Sequence, residues 1–307
     1  RYHKGNRWLW IDCHRYFDDG SLKLHIINSS HGDLPWLLLC RIISEEVYLK
    51  GGILMAVLQI VFSPTGGTEN CAYIVATTLN SNAETIDLTD RAVDFTKVVV
   101  APEDVCVIAV PSFGGRVPAV ALERLAQIKG NGAKAILMAV YGNREIDDTL
   151  LELKEVAENA GFKTIAAISA VAEHSMVRQF AANRPDVQDQ MELERFATQI
   201  AARIAVGVFK EVKVPGNKPY KEFNGVPAKP MANEACKKCG KCADQCPVGA
   251  IPKDAPNETD KAKCITCLRC VAICPAKARD MSPEFKESIT QRLASLCAER
   301  KANALYI

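Results

Sequence analysis

Val57-Leu58-Gln59-Ile60-Val61-Phe62-Ser63-Pro64-Thr65-Gly66-Gly67-Thr68-Glu69-Asn70 runs from a largely apolar segment of strand length directly into the start of a helix. A nearly continuous apolar run is the pattern of a strand buried on both faces, as in a parallel sheet covered by helices. The turn that joins strand to helix holds Gly66 and Gly67. Without a Cβ in the way, its N–H groups can approach a phosphate closely, and the helix N-terminus adds positive potential. Ser63, Thr65 and Thr68 supply hydroxyl donors. No lysine follows, as a Walker loop would require, and G-x-G-x-x-G is absent, which argues against a dinucleotide site. The bland reading is a Gly-rich turn with a threonine cap.

The same alternation continues downstream. Apolar runs at Val105–Val110, Ala135–Val140 and near Thr164–Val171 have strand length, and helical patterns are expected at 68–80, 117–129, 147–160 and 188–210. The third of these helices is capped by Asp147 or Asp148 and stopped by Gly161. This predicts an α/β fold with a flavodoxin-like, doubly wound, five-stranded parallel sheet, whose ligand sits beyond the carboxyl ends of the strands. Two more loops fall at that edge, Pro111–Pro118 and Tyr141–Arg144. The Ser63–Thr68 loop resembles the T-G-x-T phosphate loop of flavodoxins, and the resemblance implies FMN. Ser63, Thr65, Gly66, Gly67 and Thr68 would then hold the phosphate, and Ser112, Phe113, Gly114, Gly115, Tyr141, Gly142 and Asn143 the ring. Phe113 and Tyr141 are candidates for stacking on the flavin, and each reads equally well as a core aromatic at a strand end.

Near the C-terminal end, two cysteine quartets share the spacing C-x-x-C-x-x-C-x-x-x-C-P: Cys236, Cys239, Cys242 and Cys246, then Cys264, Cys267, Cys270 and Cys274. Three thiolates at this spacing wrap three corners of a cubane cluster, and the fourth reaches the other cluster. The crossed rule puts Cys236, Cys239, Cys242 and Cys274 on one [4Fe-4S] cluster and Cys264, Cys267, Cys270 and Cys246 on a second. A structural zinc usually takes two well-separated cysteine pairs, and disulfides need an oxidising compartment, so both fit less well. A small α+β two-cluster ferredoxin domain is therefore expected at 230–281, after a Lys- and Pro-rich linker at 213–229. A C-terminal helix is expected at 282–307, starting at Ser282-Pro283 with an apolar stripe of Phe285, Ile289, Leu293 and Leu296.

The 307 residues are 48% hydrophobic and carry a formal net charge of +2. That suits about two domains and gives no basic footprint for nucleic acid. No apolar run is long enough to span a membrane, because Arg41, Glu45, Glu46 and Lys50 interrupt the longest candidate. With no secretory signal pattern, the expectation is a soluble, cytoplasmic protein. Cys13, Cys40, Cys71, Cys106 and Cys297 lie outside the quartets and read as small buried hydrophobes or idle thiols. Residues 1–54 look foreign to the rest: they hold all three tryptophans and four of the five histidines, with no sustained period. They read as a non-native extension before a start at Met55, the alternative being a metal-binding segment using Cys13, His14, His25 and His31.

Residues 55–307 resemble the EFR1-type ferredoxins, in which a flavodoxin-like domain is fused to a two-cluster ferredoxin. The resemblance rests on F-S-P-T-G-G-T, P-S-F-G-G-R-V-P, V-Y-G-N-R, A-E-H-S at 172–175 and the two quartets. It implies an electron-transfer iron–sulfur flavoprotein that couples two [4Fe-4S] clusters to FMN and exchanges electrons with redox protein partners. It also marks Ala172–Asp186 as a loop near the flavin edge, with His174 either contacting flavin or substrate or serving as a hydrogen-bonded loop histidine. The alternatives are a flavin-dependent reductase of a small organic substrate and a non-catalytic redox sensor.

Overall fold

The apolar run at 57–62 becomes β1 (Val57–Val61), buried along its whole length. It is the second strand of a sheet whose parallel part runs β2 (Glu84–Asp87), β1, β3 (Val105–Pro111), β4 (Lys134–Tyr141) and β5 (Lys163–Val171). That order is the flavodoxin-like, doubly wound one. The computed structural model describes residues 55–307, so the expectations for 1–54 lie outside the described residues. The parallel sheet and the cysteine module belong to one compact unit.

Alternate residues of each strand feed two cores. On one face Leu58, Ile60, Phe62, Cys106, Ile108 and Val110 pack with Leu125 of α2 (Ala119–Leu125) and with Leu150 and Leu153 of α3 (Thr149–Asn159). On the other, Val57, Val61, Val107 and Ala109 pack with Cys71, Ala72 and Val75 of α1 (Gly67–Leu79) and with Leu193, Phe196 and Ile200 of α4 (Val187–Val206). This two-sided burial is why the strands carry no polar alternation. In register, Val61 lies beside Ala109, Pro111 beside Val140, and Tyr141 beside Val171. The loops that follow β1, β3, β4 and β5 therefore leave the sheet at one edge.

Two features differ from expectation. The sheet has a sixth strand, β8 (Ala304–Tyr306), antiparallel to β5. Correspondingly, 282–307 is helical only over α7 (Pro283–Ala294), which Ser282 caps by accepting the Phe285 N–H at 3.2 Å. Three residues are too few to show a strand period, and what brings them to the sheet is polar. The second difference is at Asp148, whose side chain makes no cap for α3. It accepts the N–H groups of Asn217 at 2.8 Å and Lys221 at 2.6 Å, and so fastens the segment after α4 onto α3.

The cysteine module lies between those two tethers, with β6 (Met231–Ala232) paired antiparallel to β7 (Arg279–Asp280) and short helices α5 (Lys241–Asp244) and α6 (Arg269–Ala272) between them. Past α7 the chain is pulled back to the sheet by side chains. Asn143 donates to the carbonyls of Cys297 and Glu299 at 3.0 and 2.7 Å and accepts the Lys301 N–H at 3.1 Å. Asn303 accepts the Val171 N–H at 2.8 Å and donates to Asp189 at 3.0 Å. Asp189 also takes both ends of the Arg184 guanidinium, at 2.8 and 2.5 Å.

With Arg184 and Asp189 both nearly inaccessible, Asp189→Ala leaves a buried guanidinium unpaired and should cost about 3–5 kcal/mol, read as a fall in the urea midpoint at constant slope. A loss below about 1 kcal/mol would show the pair to be slack. Burial acts to raise the Asp189 carboxyl, but Arg184 and the Asp186 N–H outweigh it and hold it low; Arg300 does the same for Asp186. Carboxyls depressed in the folded state stabilise it above the ordinary carboxylate value and lose that effect as pH falls through the lower folded values. The tail should therefore stay fastened from neutrality to about pH 4 and loosen below it.

Candidate functional site

At the start of α1, Gly66 occupies the cap position with φ of 93°, a conformation that glycine adopts without strain. Gly66 itself has no side chain to cap the helix. Ser63 Oγ accepts the Glu69 N–H at 2.9 Å, and Asn70 N–H bonds to the Gly66 carbonyl at 2.9 Å. Among the described residues, the N–H groups of Thr65, Gly66, Gly67 and Thr68 and the hydroxyls of Thr65 and Thr68 have no hydrogen-bond partner. A Cβ built on Gly66 would meet nothing within 4 Å. Four unused amide donors at a helix N-terminus fit an anion such as the phosphate of FMN.

In the second loop, Phe113 and Arg116 exchange backbone hydrogen bonds at 2.9 and 3.1 Å around Gly114 and Gly115, both at positive φ. The turn is thus glycine-built, and it is held from behind: Arg116 pairs with both oxygens of Glu152, at 3.0 and 2.5 Å, and reaches the Lys221 carbonyl at 2.8 Å. Phe223, from the segment after α4, lies over Gly114. Ser112 pairs hydroxyls with Thr149 at 2.8 Å. Phe113 is half-buried, whereas Tyr141 is 8% exposed and packed into the core, where burial pushes its phenol up to about 12. In the third loop Gly142 abuts His174, and the Asn143 side chain is committed to the C-terminal tail. His174 Nδ1 accepts the N–H groups of Met176 at 3.3 Å and Val177 at 3.1 Å, which makes it a loop-shaping histidine.

The eight quartet cysteines sort into two cavities. One is lined by Cys236, Cys239, Cys242 and Cys274, the other by Cys246, Cys264, Cys267 and Cys270. The fourth cysteine of each run thus stands with the first three of the other run. Cys239 is exposed, and Lys237, Lys238 and Lys241, which line the same cavity, are exposed with it. Backbone N–H groups already point at sulfur: Ala250 to Cys246 at 3.2 Å, Ala278 to Cys274 at 3.3 Å and Thr266 to Cys264 at 3.4 Å. Arg279, 2% exposed, donates to the carbonyls of Pro256 at 2.7 Å and Glu258 at 3.0 Å, with one nitrogen 3.9 Å from Cys242 Sγ. Burial pushes the thiols of Cys267 and Cys270 up to about 12 and about 11. Thiolates there need positive charge at their sulfurs, which iron supplies, so the donor set fits a cluster.

Three arginines join the module to the sheet edge. Arg124 donates to the carbonyls of Leu88 and Pro247, both at 2.6 Å, and Arg91 to that of Ala243 at 3.0 Å. Arg269, between Cys267 and Cys270, reaches the Ser63 carbonyl of the first loop at 3.4 Å. None of these contacts, nor the Asn143 and Asp148 tethers, is marked in the sequence by spacing or motif.

Residues 231–275 match the family of 4Fe-4S dicluster domains. Over 58 residues the chain is 41% identical to a subunit of the ion-translocating oxidoreductase complex of Methanosarcina acetivorans, covering 19% of this chain and 22% of that protein. Over 80 residues it is 31% identical to the thiosulfate reductase electron transfer subunit PhsB of Salmonella typhi, covering 25% and 42%. The chain thus spans less than half the length of either relative. Among solved structures, a flavodoxin of Streptococcus pneumoniae TIGR4 aligns at 24% identity and TM-score 0.35, over 48% of this chain and 99% of that one. Flavodoxin 2 of Bacillus cereus aligns at 15% and 0.38, over 48% and 99%. The chain carries an iron–sulfur domain of the 4Fe-4S dicluster type after a flavodoxin-like domain. No helix among the described residues is long and apolar enough to cross a membrane.

Burial, the largest influence, lowers the His174 imidazole to about 4. Its neutral form is therefore favoured by folding; that contribution is complete above about pH 6.5, the ordinary histidine value, and fades as pH falls toward the folded one. An NMR titration should find His174 protonating near pH 4, and a midpoint near 6.5 would mean that the 173–178 loop does not hold it.

Proposed function

We propose that the chain is an electron carrier of the EFR1 type, coupling two [4Fe-4S] clusters to FMN. The carrying observation is the crosswise sorting of the cysteines into two cavities, together with the unused donors of the 63–68 loop. On this reading 55–212 is the FMN domain, 213–229 the linker and 230–281 the ferredoxin domain, with 282–307 returning to the sheet. Bound clusters supply one-electron steps, and bound flavin supplies one- or two-electron exchange. The protein's part is to hold and tune them. Cys236, Cys239, Cys242 and Cys274 would ligate an outer cluster, and Cys246, Cys264, Cys267 and Cys270 an inner one beside Arg269 and the phosphate loop. The N–H groups aimed at sulfur favour the more negative, reduced state of each cluster. Ser63 to Thr68 would bind the phosphate through amides and hydroxyls, and Phe113, which keeps part of its surface open, is the better placed of the two candidate stacking rings.

Exposed Cys239 and its neighbours Lys237, Lys238 and Lys241 support an outer port for an acidic redox protein. Positive charge at a mouth steers anionic partners, and added salt screens it. Oxidation of the reduced protein by ferricyanide should therefore slow with ionic strength. It should also be slower in Lys238→Glu at low salt; rates unmoved by either would remove the port.

Anaerobic purification should yield about eight irons and eight sulfides per chain, and two zincs without sulfide would overturn the cluster reading. Cys246→Ala should alter the paramagnetic signal of the cluster held by Cys264, Cys267 and Cys270. Damage confined to the other cluster would reverse the ligand assignment.

A further inference from the structure

The 63–68 loop has no positive side chain of its own. Among the described residues, the guanidinium that reaches it comes from the cysteine module: Arg269, on the first turn of α6, with its side chain 20% exposed. Its hydrogen bonding is incomplete. One terminal nitrogen makes the long contact with the Ser63 carbonyl, the other stands 3.9 Å from Asp87, whose side chain is 45% exposed, and Nε is buried without an acceptor. A guanidinium carries five N–H donors and binds phosphate as a planar fork. Here it faces the loop whose four free amides and two free hydroxyls also lack an acceptor. In the chain Arg269 stands between Cys267 and Cys270. One residue therefore touches the phosphate loop with its side chain from a place between two candidate cluster ligands.

We propose that Arg269 completes the flavin site from the cluster domain, its guanidinium pairing with the phosphate of FMN. The inference rests on the flavin reading above. It gives the loop the cation that the sequence leaves out, and it makes tight FMN binding depend on a folded cysteine module. It also gives a specificity: the phosphate ester should be preferred over the free riboflavin alcohol by more than the amides alone provide.

The test is fluorescence titration of flavin-stripped, cluster-loaded, full-length protein with FMN and, separately, with riboflavin. Arg269→Gln should weaken FMN binding about tenfold to a hundredfold, the range for losing hydrogen bonds to a charged group, while riboflavin binding stays within about twofold. Arg269→Lys, which keeps the charge but not the fork, should fall between. Iron content reports folding; should Arg269→Gln lose iron, the FMN-to-riboflavin ratio of Arg269→Lys decides. Unchanged FMN binding, or equal loss for both flavins, would overturn the role and leave Arg269 a structural contact. A wild-type protein that binds neither flavin would overturn the flavin reading itself, and this inference with it.

Discussion

Beside the Asn143 contacts and the β5–β8 ladder, what fastens the cysteine module to the sheet at its outgoing end gathers on one carboxylate. Asp189, 1% exposed, receives Arg184 from the loop before α4, Asn303 from the tail and Arg300 at 3.2 Å, and its side chain also closes the capping box of its own helix. A buried ion pair is weak evidence of net stability, because desolvation offsets most of its attraction. It is stronger evidence of geometry, since neither partner can leave without stranding the other. The incoming end is held in a comparable way by Asp148, 3% exposed, which grips the N–H groups of Asn217 and Lys221. An appended domain on one tether would swing. A module fastened at both ends has a fixed place against the carboxyl edge of the strands.

The same accounting explains the interior of the module. Around the first cavity the cations Lys237, Lys238 and Lys241 are exposed, and Arg279 is the buried one. Its two terminal nitrogens are spent on the Pro256 and Glu258 carbonyls, with a further bond to Thr259, while Nε is buried without an acceptor, so the charge is fixed in orientation beside Cys242. Such a segment, with two short helices and a two-residue β-ladder, has only a small apolar cluster of its own, built on Cys242, Ala243, Ile251 and Cys270. Ligand binding in a site of this kind is folding energy as much as function.

Most of the sheet was legible because burial on both faces writes a nearly unbroken apolar run, as at 57–62 and 135–140. The two edges were not. Glu84-Thr85-Ile86-Asp87 is half solvated and mixes polar with apolar residues, and Ala304-Leu305-Tyr306 is too short to carry a period. The pairing of cysteines into cavities was legible from spacing, since a short loop has few ways to surround a cube. Asn143 shows the limit. Its position after β4 suggests a backbone donor near the ring; that its side chain serves residues more than 150 positions away leaves no trace in the local sequence. Asp148 misleads for a related reason: an aspartate before a helix is most often a cap, and here a distant segment claims its oxygens.

The three interface arginines share a design that bears on electron transfer. Each crosses between sheet and module by donating to a main-chain carbonyl: Arg91 to Ala243, Arg124 to Pro247 and Arg269 to Ser63. A carbonyl fixes a guanidinium without neutralising it, and the Asp87 carboxylate 3.9 Å from Arg269 is 45% exposed, so partly buried guanidinium charge stays beside the cavity lined by Cys246, Cys264, Cys267 and Cys270. On the proposed reading this matters more than the lysines around Cys239. Exposed ammonium groups are screened within about a Debye length of salt water, whereas partly buried charge acts across a lower dielectric. Added electrons are negative charge, and they are stabilised most where fixed positive charge is least screened. On that reading the arginines would favour an electron at the inner site, beside the phosphate loop, over the outer one that meets solvent, and the two tethers would hold the sites in place.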